Sequence, residues 1–106
     1  MSRGAVEPVW TPSAERVASA QMSRFLQHLA EAVDEVDDRA SLWLWSVEHR
    51  AEFWRAVWDF AGIVASRQPD RPLEGDGMLG TDGRPATRFF PGARLNFAEN
   101  LVRHGL

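Results

Sequence analysis

The chain has 106 residues with 12 basic and 15 acidic side chains, a net charge of −3. That fits one small domain and lacks the strongly basic footprint of a nucleic-acid binder. It contains neither Cys nor Lys, which excludes disulfides, thiolate nucleophiles, Cys-ligated zinc, Schiff-base chemistry, the Walker-type phosphate loop and the protein-kinase machinery.

The opening stretch, Met1-Ser2-Arg3-Gly4-Ala5-Val6-Glu7-Pro8, lacks the apolar centre of a secretory signal. No run approaches the roughly 18 apolar residues of a membrane span. A soluble, cytoplasmic chain without membrane or nucleic-acid partners is therefore expected. Thr11-Pro12-Ser13 reads as a helix start: Thr accepts free N–H groups, and Pro fits the first helical position, where its missing N–H goes unused. Val17, Met22, Phe25, Leu26, Leu29, Val33 and Val36 then recur at three- and four-residue steps, an amphipathic stripe. The acidic run Glu31, Asp34, Glu35, Asp37, Asp38 suits a helix N-terminus better than a C-terminus. Asp37 or Asp38 is thus expected to cap a second helix over 39–49. A third runs over 51–61 and stops at Gly62.

Composition changes at Gly62. Residues 1–61 carry ten acidic against six basic side chains, whereas residues 62–94 hold six of the eight Gly and four of the six Pro. The second stretch reads as loops and turns with short strands. Phe89-Phe90-Pro91-Gly92 places an aromatic pair on a turn of type II form. It leads into a final helix in which Asn96 and Glu99 form an Asn-led relative of the capping box and Gly105 supplies the stop. The expected fold is mainly α, one domain over 1–106 with about four helices: helical over 11–61, loop-rich over 62–94, and a terminal helix over 96–104.

Five Trp and six Phe against no Tyr leave an aromatic surplus. In the second helix Leu42, Trp43, Leu44, Trp45 and Val47 point in almost every direction, and a helix apolar all round is normally buried on all sides. The third adds Phe53, Trp54, Val57, Trp58 and Phe60. Such residues serve either as core anchors or as anchors for docking another body. The all-round pattern favours docking, through Trp43, Trp45, Trp54 and Trp58.

Catalytic signatures are weak. Gly75-Asp76-Gly77-Met78-Leu79-Gly80 matches G-x-G-x-x-G, but turn sequences flank it where a strand and a helix are required, so it reads as a loop. His28, His49 and His104 lack metal-ligand spacing. The carboxylates of 31–38 read as a solvated or capping face, and Ser13, Ser41, Ser46 and Ser66 sit in no nucleophile elbow. No catalytic, cofactor-binding or metal-ligating residue is assigned.

Taken together, several segments resemble a known family. Val9-Trp10-Thr11-Pro12-Ser13 with Glu15-Arg16-Val17 is similar to the opening of acetoacetyl-CoA synthetases. Leu42-Trp43-Leu44-Trp45-Ser46-Val47-Glu48 and Glu52-Phe53-Trp54-Arg55-Ala56-Val57-Trp58-Asp59-Phe60 resemble that family's paired helices. The strongest likeness is Phe89-Phe90-Pro91-Gly92-Ala93-Arg94-Leu95-Asn96-Phe97-Ala98-Glu99-Asn100-Leu101. Departures from the family pattern are Phe89 for Trp, Phe97 for Tyr, Arg50 for Pro and Ala61 for Phe, and the stretch from Glu74 to Pro85 fits least. An acetate-specific synthetase is a weaker alternative.

The resemblance implies an adenylate-forming ligase that joins acetoacetate to CoA with ATP and magnesium. Its phosphate loop and catalytic Lys lie downstream of the region matched here. On that reading this chain is a helical N-terminal domain, inactive alone, packed on a larger α/β adenylation domain or on a homologous chain; homo-oligomerisation is open. The alternative is a stand-alone helical module that docks onto a partner protein.

Overall fold

The computed structural model describes residues 4–103, so the expected stop at Gly105 and the outer end of the 96–104 helix lie outside the described residues. The first helix, α1, spans Ala14–Ser19, two residues later than expected. Ser13 is its N-cap, with Oγ accepting the Arg16 N–H at 3.2 Å. Ser is the better cap than Thr, and Pro12 then simply precedes it.

The long amphipathic helix expected from Val17 to Val36 is two helices. Ala20 takes an extended conformation (φ −66°, ψ 148°), and α2 restarts over Gln21–Ala30. Hydroxyls hold this break open: Ser19 Oγ donates to Arg16 O at 3.1 Å, and Ser23 Oγ reaches back to Val17 O. They satisfy carbonyls that a continuous helix would have bonded itself. The described residues therefore contain five helices where about four were expected.

Asp38 caps α3 (Arg39–Glu48), accepting Ser41 N–H at 2.8 Å, while Ser41 Oγ accepts the Asp38 N–H at 3.0 Å. This reciprocal pairing is a capping box with Ser in the return position. His49 closes α3 and opens α4 (Arg50–Ala61). Gly62 ends α4 at φ 64°, ψ 43°, the left-handed conformation that costs glycine least.

The rest of the chain folds as one long irregular hairpin. Arg67 bridges Arg94, β1 (Leu73–Glu74) pairs antiparallel with β2 (Arg88–Phe89) in the register Leu73↔Phe89, and Leu79 bridges Pro85 near the tip. Pro91-Gly92 forms the expected turn, with Ala93 N–H donating to Phe90 O at 3.1 Å and Gly92 at φ 82°. Helix α5 follows over Phe97–Arg103.

The core lies between α2, α3 and α4. Phe25, Leu29, Val36, Leu42 and Trp45 are buried, with Leu26, Val33, Phe53, Ala56, Val57 and Phe60 packed against them. Phe25 meets Phe60 at 5.1 Å and Phe53 edge-on at 6.1 Å between ring centroids. Two aromatic pairs tie the hairpin to this body. Trp58 lies 4.6 Å from Phe90, and Trp54 meets Phe89 edge-on at 5.5 Å. Phe90 holds φ 49°, a strained value for a residue with a side chain, and its seat on Trp58 keeps it there. Arg50 adds an ion pair from α4 to Asp76 of the hairpin at 3.2 Å. No described helix is long and apolar enough to cross a membrane.

Candidate docking surface

The four Trp residues named for docking separate into different roles. Trp45 and Trp58 are each 7% exposed and belong to the interior of this chain, which corrects their assignment as docking anchors. The reason is geometric: α4 folds back on α3, so Trp45 packs on Phe53, while the hairpin covers Trp58 with Phe90. Trp54 is half-buried between Phe53 and Phe89. Only Trp43 of the four stands out, 66% exposed beside the exposed Leu44 and Val47.

Apolar surface is nevertheless plentiful. Val6, Val9 and Trp10 lie on an N-terminal arm with no regular structure, and Leu95, Phe97, Leu101 and Val102 are exposed around α5. The radius of gyration is 18.2 Å, against about 13 Å for a compact chain of this length. The accessible surface is 8837 Å². A compact monomer of this mass exposes about 5,900 Å², so roughly 2,900 Å² is in excess. An excess of that size is enough for one side of an obligate interface.

Two of several grooves with apolar lining bear on docking. The larger, about 500 Å³, runs between α2 and α4 over Leu29, Val33, Trp45 and Ala56, with the Arg55–Asp59 pair at its edge. Because Asp59 already faces Arg55 at 3.4 Å, that cation is not free for an anionic ligand. The second, about 340 Å³, lies between α5 and the end of α4. At its base is Asn100, the buried polar residue of the described chain. Its Oδ1 accepts the Val64 N–H at 2.8 Å, and its Nδ2 donates to Val64 O and Asn96 O, each at 2.9 Å.

Among the described residues, groups that would hold ATP or magnesium do not assemble. The Gly75–Gly80 segment leads into the hairpin tip, and turn residues and β2, not a helix, come directly after it. Its Gly77 N–H donates to Asp76 Oδ1 and its Gly80 N–H to Arg84 O, and the Asp76 carboxylate would repel a phosphate. The described residues contain no group of three or more His, Asp or Glu placed to hold a metal ion. His28 lies against Phe60, His49 stacks on Trp45 with Glu35 3.8 Å away, and His104 lies outside the described residues. Among the carboxylates of 31–38, Asp38 has its pKa lowered, chiefly by the Ser41 backbone N–H and then by the Ser41 hydroxyl; this is the signature of a cap. Asn100 escaped the sequence reading. It stands beside the capping residues Asn96 and Glu99 and looks like one more polar residue of an exposed helix.

Comparison with known proteins adds the context. The family model for the N-terminus of acetyl-coenzyme A synthetase matches residues 39–101. The chain is 37% identical over 100 residues to acetoacetyl-coenzyme A synthetase of Rhizobium meliloti, covering 93% of this chain and 14% of the relative. It is 38% identical over 100 residues to acetoacetyl-CoA synthetase of Macaca fascicularis, covering 91% and 14% respectively. To a malonamoyl-CoA synthetase of Penicillium aethiopicum it is 40% identical, covering 93% and 13%. The solved structure of acetoacetyl-CoA synthetase from Streptomyces lividans superposes with a TM-score of 0.76 at 33% identity, over 94% of this chain and 15% of that one. The chain spans about one-seventh of the length of the proteins it matches.

Proposed function

We propose a role for this chain from one premise: it belongs to the acetyl-coenzyme A synthetase N-terminus family, matched over more than half its length. Its role is to pack, without catalytic residues of its own, on the adenylation body of an acetoacetate-type acyl-CoA synthetase. That whole enzyme is an ATP-dependent acid–thiol ligase working through an acyl-adenylate. ATP, magnesium and CoA are held by the downstream body, where the phosphate loop and catalytic Lys belong. A cytoplasmic location is part of the same proposal.

The observation that carries the reading is the mismatch between size and surface. A chain of this mass that leaves roughly 2,900 Å² more surface open than a compact monomer is built to be covered. The relatives, about seven times longer, supply something to cover it. The acyl group follows from the relatives' names. Acetoacetyl and malonamoyl groups both carry a carbonyl one methylene beyond the thioester, so a short acid with that second carbonyl is the proposed substrate class.

The test is a chimera in which this chain replaces the matching region of the Streptomyces lividans enzyme. The chimera is expected to fold with a single unfolding transition and to form acetoacetyl-CoA with release of AMP. The chain alone is expected to release neither AMP nor pyrophosphate from ATP, acetoacetate and CoA. Turnover by the isolated chain, or a chimera in which the chain melts independently of the body, overturns the proposal.

A further inference from the structure

We infer that the groove between α5 and the end of α4 is the face on which the adenylation body seats. This rests on the packing role proposed above and adds the surface that performs it. The groove is lined by Ala61, Ile63, Leu95, Phe97, Asn100 and Leu101. Phe97 is 78% and Leu101 63% exposed, although both are large apolar side chains.

Three observations select this face. Asn100 is the groove's polar side chain, and both its N–H groups and its oxygen are already engaged with Val64 and Asn96. The groove therefore presents apolar side chains with no unused side-chain donor, which suits an apolar ridge of a protein better than a charged ligand. Second, the described part of α5 is held on its inner side by the Asn100 carboxamide, while Phe97 and Leu101 stand bare on its outer flank. Third, the matched region ends on α5, and the longer relatives continue beyond that region. The body is thus delivered to this groove with little chain to cross.

The competing apolar faces, around Trp43, Leu44 and Val47 on α3 and in the larger groove between α2 and α4, lie far back from the end of the matched region, and α3 is already held by Leu42 and Trp45 in the core.

Hydroxyl-radical footprinting of the isolated chain and of the chimera tests the assignment. Phe97 and Leu101 are expected to lose reactivity at least five-fold in the chimera, whatever happens at Trp43. Phe97→Ser combined with Leu101→Gln should lower the chimera's unfolding temperature while leaving that of the isolated chain unchanged. Both side chains are exposed in the isolated chain, so its core does not depend on them. If Trp43 becomes protected while Phe97 and Leu101 stay reactive, packing stands and this face is wrong. An equal loss of stability in chimera and isolated chain also overturns the face. If no residue of the chain is protected in the chimera, the packing role itself falls.

Discussion

The Asn100 carboxamide pairs with both backbone groups of Val64, accepting its N–H at 2.8 Å and donating to its carbonyl at 2.9 Å. One side chain thereby does what a strand would do, bonding a helix to the segment that leaves another helix. Asn100→Ala would leave a part-buried N–H and C=O without partners and is expected to cost about 2 kcal/mol. Amide exchange over 97–103 should rise to the rate of unprotected backbone while α3 and α4 stay protected. Asn100→Asp should be no better at neutral pH, because its carboxylate would face the carbonyls of Val64 and Asn96. Native-like protection of α5 in either variant would refute this view of the tether.

Gly92 sets the turn into α5. A methyl group there would overlap the Arg67 guanidinium and lie 2.6 Å from Asp70 Oδ2, at a φ of 82°. Those two side chains form an ion pair at 2.9 Å, and Arg67 also donates to Gly92 O. Gly92→Ala is expected to destabilise by about 1–3 kcal/mol. Gly4→Ala, where nothing lies within 4 Å, should be neutral. Urea unfolding of the two variants makes the comparison.

Leu29 is 3% exposed at the centre of the helical core. Leu29→Ala is expected to cost about 2–5 kcal/mol, from lost burial and the cavity left behind. In a core this small that is a large share of total stability, so the variant should be largely unfolded at 37 °C by circular dichroism.

The Asp38 cap makes stability depend on acid. Its pKa is lowered in the folded chain by the Ser41 N–H and hydroxyl, so its contribution is complete above the unfolded value of about 3.9. It is lost as pH falls through the lower folded value. Asp38→Asn keeps a capping oxygen but no charge. It should remove this acid-dependent part of the unfolding curve between wild type and variant, while Asp38→Ala lowers the melting temperature at pH 7. Parallel wild-type and Asp38→Asn curves down to pH 2 would contradict this.

The Trp residues give an optical check. Trp10 and Trp43 are exposed, while Trp45 and Trp58 are buried. Iodide should quench part of the emission, and Trp43→Phe should remove much of the quenchable part, whereas Trp45→Phe should not. The isolated chain should also bind a hydrophobic dye through its open apolar surface. A monomer with uniformly blue-shifted, unquenchable emission and no dye binding would show a closed core instead.

What the sequence disclosed and what it hid divide by range. The caps at Asp38, Gly62 and Asn96 and the turn at Pro91-Gly92 act over four residues or fewer, so residue type and spacing suffice to read them. The break at Ala20 is also local, but Ser19 and Ser23 in a helical stripe look like ordinary helical residues until their hydroxyls are seen taking carbonyls. The fates of Trp43 and Trp45 were hidden for another reason. A helix with apolar residues all round has no inside until α4 is placed against it. Trp58 required Phe90, and Asn100 required Val64, partners that no periodic pattern connects.

The two aromatic pairs that join the hairpin to the helices, Trp54 with Phe89 and Trp58 with Phe90, also set an order of assembly. Phe25 and Phe60 in the helical core lie as far apart in sequence as Trp54 and Phe89, so loop length does not rank these closures and the order of synthesis does. The late partners are the C-terminal ones. During synthesis from the N-terminus, the helical platform carrying Trp54 and Trp58 is complete before Phe89 and Phe90 emerge to dock on it. The strained Phe90 thus meets a site already built to hold it.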